Sequence, residues 1–204
     1  MLQRTHQETK RNPFRLLWII MMIIVALVVA GVVLLNTVLF YTVVYSASME
    51  DTIETGAVVI GSRTAYDSHE VERGDIIFFY AAISEGEIFV KRVIGLPGET
   101  VEIEDGLVYI NGSNTPLAED YLTEEWTVRN DGYAVTVPEG CYYVLGDERN
   151  TSYDSRLWAD AALTEGLAAD EDEAFSYTFV SNADILAKAL FCTEPFGFLT
   201  EPAY

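Results

Sequence analysis

Apolar residues dominate the first part of the chain and then give way to short alternating runs. From Leu16 to Leu35 the sequence reads LLWIIMMIIVALVVAGVVLL, and apolar residues continue to Phe40. An uncharged run of this length can cross a hydrocarbon core of about 30 Å as a helix. A cleaved signal peptide has a shorter apolar region, roughly 7–15 residues long. The pattern therefore predicts an uncleaved transmembrane signal anchor at residues 16–40.

The charges beside this span predict its orientation. The basic residues before it are Arg4, Lys10, Arg11 and Arg15. A positively charged flank stays on the cytoplasmic side of a membrane. We expect residues 1–15 in the cytoplasm, and residues 41–204 outside the plasma membrane as one domain of a single-pass protein.

Beyond the span, short runs rich in Val, Ile, Phe and Tyr lie between Gly, Pro, Asp and Asn residues, which is typical of strands joined by turns. Glu104-Asp105-Gly106 favours a tight hairpin turn. The fold class we predict is mainly β, with one N-terminal transmembrane helix followed by an antiparallel β-sheet domain. The predicted strands are Ala57–Ser62, Asp75–Ala81, Ile88–Ile94, Thr100–Glu104, Leu107–Ile110, Tyr133–Val137 and Cys141–Leu145.

One segment departs from the strand pattern. Residues Ala161–Ala174 read AALTEGLAADEDEA, which changes to helix formers and a run of acids. We predict an acidic helical or disordered surface insertion at about residues 161–183. Solvation is the expected role of its charges.

The formal net charge of −20 lies almost wholly beyond the span, because Glu8 is the only acid that precedes it. So acidic a domain argues against nucleic acid as a partner. His6 and His69 are expected on opposite sides of the membrane, and the two cysteines have no metal-ligand spacing, so we expect no metal site and no cofactor. Cys141 and Cys192 are compatible with a disulfide or with two buried thiols.

A candidate nucleophile, Ser48, follows directly after the apolar run. A serine hydroxyl is a weak nucleophile until a base takes its proton. Lys91 is the candidate base, because a lysine inside an apolar strand can be kept neutral by desolvation. Taken alone, Ser48 reads as a loop serine and Lys91 as an edge-strand lysine. Lys91 and Arg92 fall on opposite faces of a strand, so only one of them can enter an apolar cleft.

Four separated blocks of the chain resemble the conserved boxes of the bacterial type I signal peptidases. They occur in the family's order and follow a membrane anchor. Ile185–Ala189 is similar to the family's closing strand. The four blocks are Ser46–Met49, Arg73–Phe79, Val90–Gly98, and Val137–Gly140 continued by Gly146–Trp158.

The resemblance implies a membrane-bound serine endopeptidase that removes signal peptides from exported precursors after Ala-x-Ala sites. Ser48 matches the nucleophile and Lys91 the general base, which fits because a lysine can lose its proton and an arginine cannot. Ser46 matches the residue whose hydroxyl joins the Ser48 backbone N–H in the oxyanion hole. Ser152 matches the serine that orients the lysine. The implied partners are signal-peptide-bearing precursors and membrane lipid.

Two further groups of residues are implied by the same resemblance. Several of the matched residues also have a purely structural interpretation. Ser46 could cap a turn, Met49 and Val90 could be core residues, and Asp154 and Arg156 could form a surface ion pair. The group that supports Ser152 is Asp147, Arg149, Asp154 and Arg156. The group that forms small pockets for the substrate alanines is Met49, Ile53, Phe89 and Val90.

The chain departs from the family pattern at three positions. Asp51 stands where the family usually has a proline, Glu148 replaces an asparagine, and Ala159 replaces a glycine. A proline would stiffen the turn after the nucleophile. A carboxylate close to Lys91 would instead favour the protonated, inactive form of that lysine.

Two rival classes of protein, and one variant of the same family, compete with this interpretation. A self-cleaving repressor-type Ser/Lys protease is disfavoured by the membrane anchor and by the lack of a basic DNA-reading segment. The eukaryote-like signal peptidases have a histidine where Lys91 stands. The remaining alternative is a non-catalytic, signal-peptidase-like assembly factor for surface proteins, which Asp51 favours and the retained Ser48 and Lys91 disfavour.

Overall fold

A computed structural model of the chain describes residues 13–50, 52–127, 132–199 and 202. The chain divides into two compact units, Met1–Val38 and Leu39–Tyr204. The departure from the family pattern at Asp51 lies outside the described residues.

The first unit contains helix α1, Pro13–Val38. Its candidate membrane span, Phe14–Val38, has a mean hydropathy of 3.1, and its large side chains are exposed. An apolar helix with no buried face fits a lipid environment better than water. The predicted span of residues 16–40 ends two residues too late, because Leu39 and Phe40 belong to the next strand.

The second unit is mainly β. Its helices are α2, Trp158–Glu165, and α3, Glu171–Tyr177. Its strands are β1 Leu39–Val43, β2 Val58–Ser62, β3 Ile76–Tyr80, β4 Ile88–Gly95, β5 Thr100–Glu104, β6 Leu107–Ile110, β7 Tyr133–Thr136, β8 Cys141–Leu145, β9 Val180–Ser181, β10 Ile185–Thr193 and β11 Phe196–Phe198.

The larger sheet has the strand order β1-β2-β10-β3-β4-β8-β9, with β11 paired to β10. A smaller sheet has the order β6-β5-β7. Neighbouring strands in both sheets are antiparallel, which confirms the predicted fold class. Each predicted strand is present to within one residue at either end. The hairpin turn is also confirmed, since Asp105 and Gly106 have φ angles of 51° and 73°, as a type I′ turn requires.

Both faces of the larger sheet are covered. Strand β3 is apolar without alternation, and its successive side chains enter two different core clusters. Ile76 and Phe78 pack with Val90 on one face, whereas Ile77 and Phe79 pack on the other. A strand buried on both faces carries a continuous apolar run, so β3 and β4 form the buried centre of this sheet.

The acidic insertion is helical and only partly a surface feature. Asp170 caps α3 by accepting from the N–H of Glu173, and Gly166 ends α2 in the left-handed conformation at φ 72°. Ala162 and Ala174 are buried in the same core cluster as Phe79. The description as a surface insertion is therefore wrong for these inward faces, although the acids at the start of α3 are exposed.

The two cysteines lie on different strands, Cys141 on β8 and Cys192 on β10. Both are free thiols. Of the two arrangements that the sequence left open, the structure has unpaired thiols.

Candidate active site

Ser48 lies in a single 3-10 turn, Ala47–Met49, between β1 and β2. The turn is closed by the N–H of Glu50 on the carbonyl of Ala47 at 3.0 Å, and the N–H of Ile53 bonds the carbonyl of Met49 at 2.7 Å. Met49 and Ile53 have no exposed surface. The buried side chains of Met49 and Ile53 hold the turn against the core. Ser48 lies at the floor of a cleft and is 7% exposed.

Lys91 lies in the middle of β4, opposite Ile77 of β3. It is 4% exposed, and its Nζ lies 2.6 Å from the Ser48 Oγ. The neighbouring Arg92 turns to the other side of the strand and pairs with Asp147. The alternation expected for a strand therefore separates the two cations, and Lys91 is the one in the cleft.

Burial is the largest influence on the Lys91 ammonium and lowers its pKa to about 8. The carboxylates of Asp154 and Asp147 oppose this by raising the pKa, and the Arg156 guanidinium lowers it. Nζ also donates to the carbonyl of Val90, at 3.1 Å. Because no carboxylate of the described residues is hydrogen-bonded to Nζ, the lysine can reach its neutral form near neutral pH and accept the Ser48 proton.

Ser46 precedes the 3-10 turn in an extended conformation, and its hydroxyl makes no capping hydrogen bond. The interpretation of Ser46 as a turn cap is therefore wrong. Its Oγ instead lies 3.2 Å from the Ser48 Oγ. A hydroxyl at this distance from the nucleophile can donate to an oxyanion that forms there.

Arg92 and Asp147 form a bidentate ion pair behind the cleft. The Arg92 Nε and Nη2 donate to the two carboxylate oxygens of Asp147 at 2.9 and 2.7 Å. Both side chains are buried, with exposures of 2% and 1%. The Arg92 guanidinium also stacks 3.9 Å above the centre of the Tyr121 ring. This pair ties β4 to the loop after β8 and so positions the strand that carries Lys91.

Arg149 makes a second buried pair that the sequence did not predict. Its guanidinium donates to both oxygens of Glu119, at 3.0 and 2.6 Å, and its Nε donates to the carbonyl of Gly146 at 2.9 Å. Glu119 belongs to a long connection and has no local sequence signal, because its partner lies thirty residues away.

Asp154 and Arg156 form a third pair, and the interpretation as a surface ion pair is wrong. The exposures are 0% for Asp154 and 2% for Arg156, and the guanidinium donates twice to the carboxylate at 2.8 Å. Burial acts to raise the pKa of Asp154, but the hydrogen bonds and charge of Arg156, with the N–H of Gly146, outweigh it and hold the pKa below its ordinary value. Asp154 therefore stays ionised beneath the site.

The loop from Gly146 to Ser152 packs directly against the nucleophile. The N–H of Glu148 bonds the carbonyl of Ser48 at 3.1 Å. A side chain at Gly146 would collide with the Ser152 hydroxyl and with the carbonyl of Ser48, so only glycine fits there. The Ser152 Oγ is buried and its hydroxyl contributes to the lowered pKa of Asp154, but among the described residues it makes no hydrogen bond to Lys91. The expected bond to Lys91 is absent, so a lysine-orienting role for Ser152 stays a prediction.

The cleft above the dyad has a volume of about 610 Å³. Phe89 and Val90 line it, but Met49 and Ile53 do not. These two are core residues, because the one-turn helix that points Ser48 outward points Met49 inward. The sequence also missed most of another wall, in which Ser46 was the one residue predicted to belong to the site. That wall consists of Thr42, Val43, Val44, Tyr45, Ser46 and Ala47.

A buried serine bonded to a buried lysine, at the floor of an open cleft, is the arrangement of a serine hydrolase that uses lysine as its base. The family model "Signal peptidase, peptidase S26" matches residues 15–193. The chain belongs to this family.

Its relatives include "Probable signal peptidase I-1" of Synechocystis sp., which is 40% identical over 120 residues that make up 55% of this chain and 59% of the relative. Signal peptidase I of Bacillus caldolyticus is 37% identical over 124 residues, 56% of this chain and 67% of the relative. The chain thus spans about three fifths to two thirds of the length of these relatives. A crystal structure of a signal peptidase I from Enterococcus faecalis V583 is 34% identical and covers 59% of this chain and 97% of its own, with a TM-score of 0.43.

Proposed function

We propose that this protein is a membrane-anchored serine endopeptidase that removes signal peptides from exported precursors after Ala-x-Ala sites. The observation that carries the proposal is the 2.6 Å contact between the Lys91 Nζ and the Ser48 Oγ, in a cleft where burial lowers the pKa of the lysine to about 8. Membership of the signal peptidase family supports the choice of substrate.

In the proposed reaction, neutral Lys91 takes the proton of Ser48 as the Oγ attacks the carbonyl carbon of the scissile peptide bond. The Ser46 hydroxyl and the Ser48 N–H donate to the oxyanion of the tetrahedral intermediate. Protonated Lys91 then gives its proton to the departing amine, which leaves an ester on Ser48. A water molecule, deprotonated by Lys91, hydrolyses the ester and restores the serine.

The proposed location is the plasma membrane, with helix α1 as a single span and the β unit on the outer face. The basic residues before the span support a cytoplasmic N-terminus. The acidic β unit would then meet precursors as they emerge, while membrane lipid contacts the exposed side chains of α1.

The decisive experiment incubates the purified full chain in detergent with an exported precursor and sequences the N-terminus of the product. We expect a cut after an Ala-x-Ala site with the wild type and no cut with Ser48→Ala. The alternative, a non-catalytic assembly factor for surface proteins, predicts the same uncut precursor with both proteins.

A further inference from the structure

The cleft is lined by few charged side chains, and they lie at different distances from the reacting atoms. Among the described residues of its walls, the charged side chains are the Lys91 base and one carboxylate, Glu87. Since Lys91 must be neutral to act, the working cleft presents a single negative charge to a bound peptide. That charge lies at the N-terminal end of β4, away from the reacting atoms.

Strand geometry relates Glu87 to the dyad. Phe89 and Lys91 are alternate residues of β4, so their side chains fall on the same face, and Glu87 directly precedes this strand. Four residues of extended chain span about 13 Å at roughly 3.3 Å each. A peptide lying extended along β4 therefore passes Glu87 four to five residues away from its scissile bond.

The backbone at Glu87 is held in place by a tight turn. The N–H of Glu87 bonds the carbonyl of Ser84 at 3.2 Å, and Gly86 has φ 81°, as the third position of a type II turn requires. The Glu87 side chain is exposed and forms no ion pair with any cation in the described part of the chain. The turn thus holds the Glu87 backbone beside the cleft, and among the described residues its carboxylate has no neutralising partner.

We infer that Glu87 is a specificity-determining residue that selects a lysine or arginine side chain at position −5 of the precursor. This inference rests on the proposed function and on the sequence prediction that Phe89 and Val90, which both line the cleft, contribute to the pockets for the substrate alanines. In this proposal the precursor lies parallel to β4, so Glu87 is beside residues further upstream of the scissile bond. In an extended peptide the residue at −5 faces the same side as those at −1 and −3, towards the enzyme.

The test compares peptides that differ only at −5, with Lys, Gln or Glu, in wild type, Glu87→Gln and Glu87→Lys. An exposed ion pair is weak, so the wild type should cleave the Lys peptide about three- to tenfold faster than the Glu peptide by kcat/KM. The difference should arise mainly in KM and shrink as salt is added. Glu87→Gln should bring the ratio close to one, and Glu87→Lys should invert it.

Glu85→Gln is the matched control, because Glu85 is an exposed acid of the same turn that does not line the cleft. It should leave the ratio unchanged. An equal fall in Glu85→Gln and Glu87→Gln would trace the preference to the overall acidic charge and overturn the inference, as would an unchanged ratio in Glu87→Gln. Failure of the wild type to cut even the Gln peptide would instead overturn the proposed function.

Discussion

The two faces of strand β4 each bury a cation, but in environments with opposite effects on its charge. On one side, Arg92 meets the two oxygens of Asp147 and stays charged. On the other side, Lys91 meets a hydroxyl and a backbone carbonyl and has its pKa lowered to about 8. The two residues are adjacent and both almost fully buried. A buried cation that is paired with a carboxylate keeps its charge and stabilises the fold. A buried lysine without such a partner loses its proton more easily and can serve as a base.

The strongest test of this comparison removes the dyad. Ser48→Ala, Lys91→Ala and Lys91→Arg should each lower kcat/KM for precursor cleavage by at least about 10³-fold, since nucleophile and base act as one unit. Arginine keeps the charge but cannot give up its proton. The measurement is product formation by gel and mass spectrometry, with circular dichroism to show that each variant is folded. Activity of Lys91→Arg near that of the wild type would refute a lysine base.

The same substitution at the two adjacent cations should change stability in opposite directions. Lys91→Met should raise the free energy of unfolding at pH 7 by about 2–3 kcal/mol, because the buried lysine must release its proton or be desolvated on folding. Arg92→Met should lower it by about 3–5 kcal/mol, because Asp147 is left buried and unpaired.

Urea unfolding of the full chain in detergent, followed by tryptophan fluorescence, measures both changes. Adding Asp147→Leu to Arg92→Met is the control, since removing both charges should recover most of the loss. Destabilisation of Lys91→Met at pH 7 would contradict the account of Lys91 as a cation whose charged form is disfavoured by burial.

The dependence of activity on pH should follow the titration of Lys91. Because Lys91 is active when neutral and its folded pKa is about 8, kcat/KM should rise nearly tenfold per unit between about pH 6 and 7.5 and level off above about 8.5. The stability that depends on this lysine moves in the same direction. The folded protein binds fewer protons than the unfolded chain between about pH 8 and 10, so stability rises with pH across that window. A profile that is flat from pH 5 to 9 would exclude a lysine base.

The smallest effect is expected where a pair is only partly buried. Arg73 and Glu99 are joined at 2.6 Å with side-chain exposures of 16% and 18%. Glu99→Gln should cost about 1 kcal/mol, since solvent screens the lost charge and the glutamine retains one acceptor for the N–H of Leu96. Unfolding in urea measures this loss beside that of Arg92→Met. A loss as large as that of Arg92→Met would show that burial does not distinguish the two pairs.

Local patterns predicted much of this molecule. Alternation and turn residues located the central strands, and Asp105-Gly106 identified its hairpin, because these signals lie within a few residues. Strand β1 was missed because Leu39 and Phe40 continue the hydropathy of the helix before them. Period-two alternation in β1, with Phe40 buried and Tyr41 exposed, was the available signal.

Contacts between distant segments were much harder to predict. The partner of Arg149 is an acid thirty residues earlier with nothing local to mark it. The choice between Lys91 and Arg92 came from the resemblance, because alternation separates two residues without saying which face is the cleft. Met49 and Ile53 were assigned to pockets from their positions next to the nucleophile. Their orientation depends on a single 3-10 turn, whose facing only tertiary packing decides.

The two free thiols also determine how this protein responds to oxidants and reductants. Cys141 and Cys192 are its only cysteines, so no covalent bond cross-links the chain internally. Burial raises the pKa of both thiols, which keeps the reactive thiolate scarce at neutral pH. The native fold therefore rests on noncovalent packing alone, needs no disulfide-forming catalyst to assemble, and should work equally well in buffers with or without dithiothreitol.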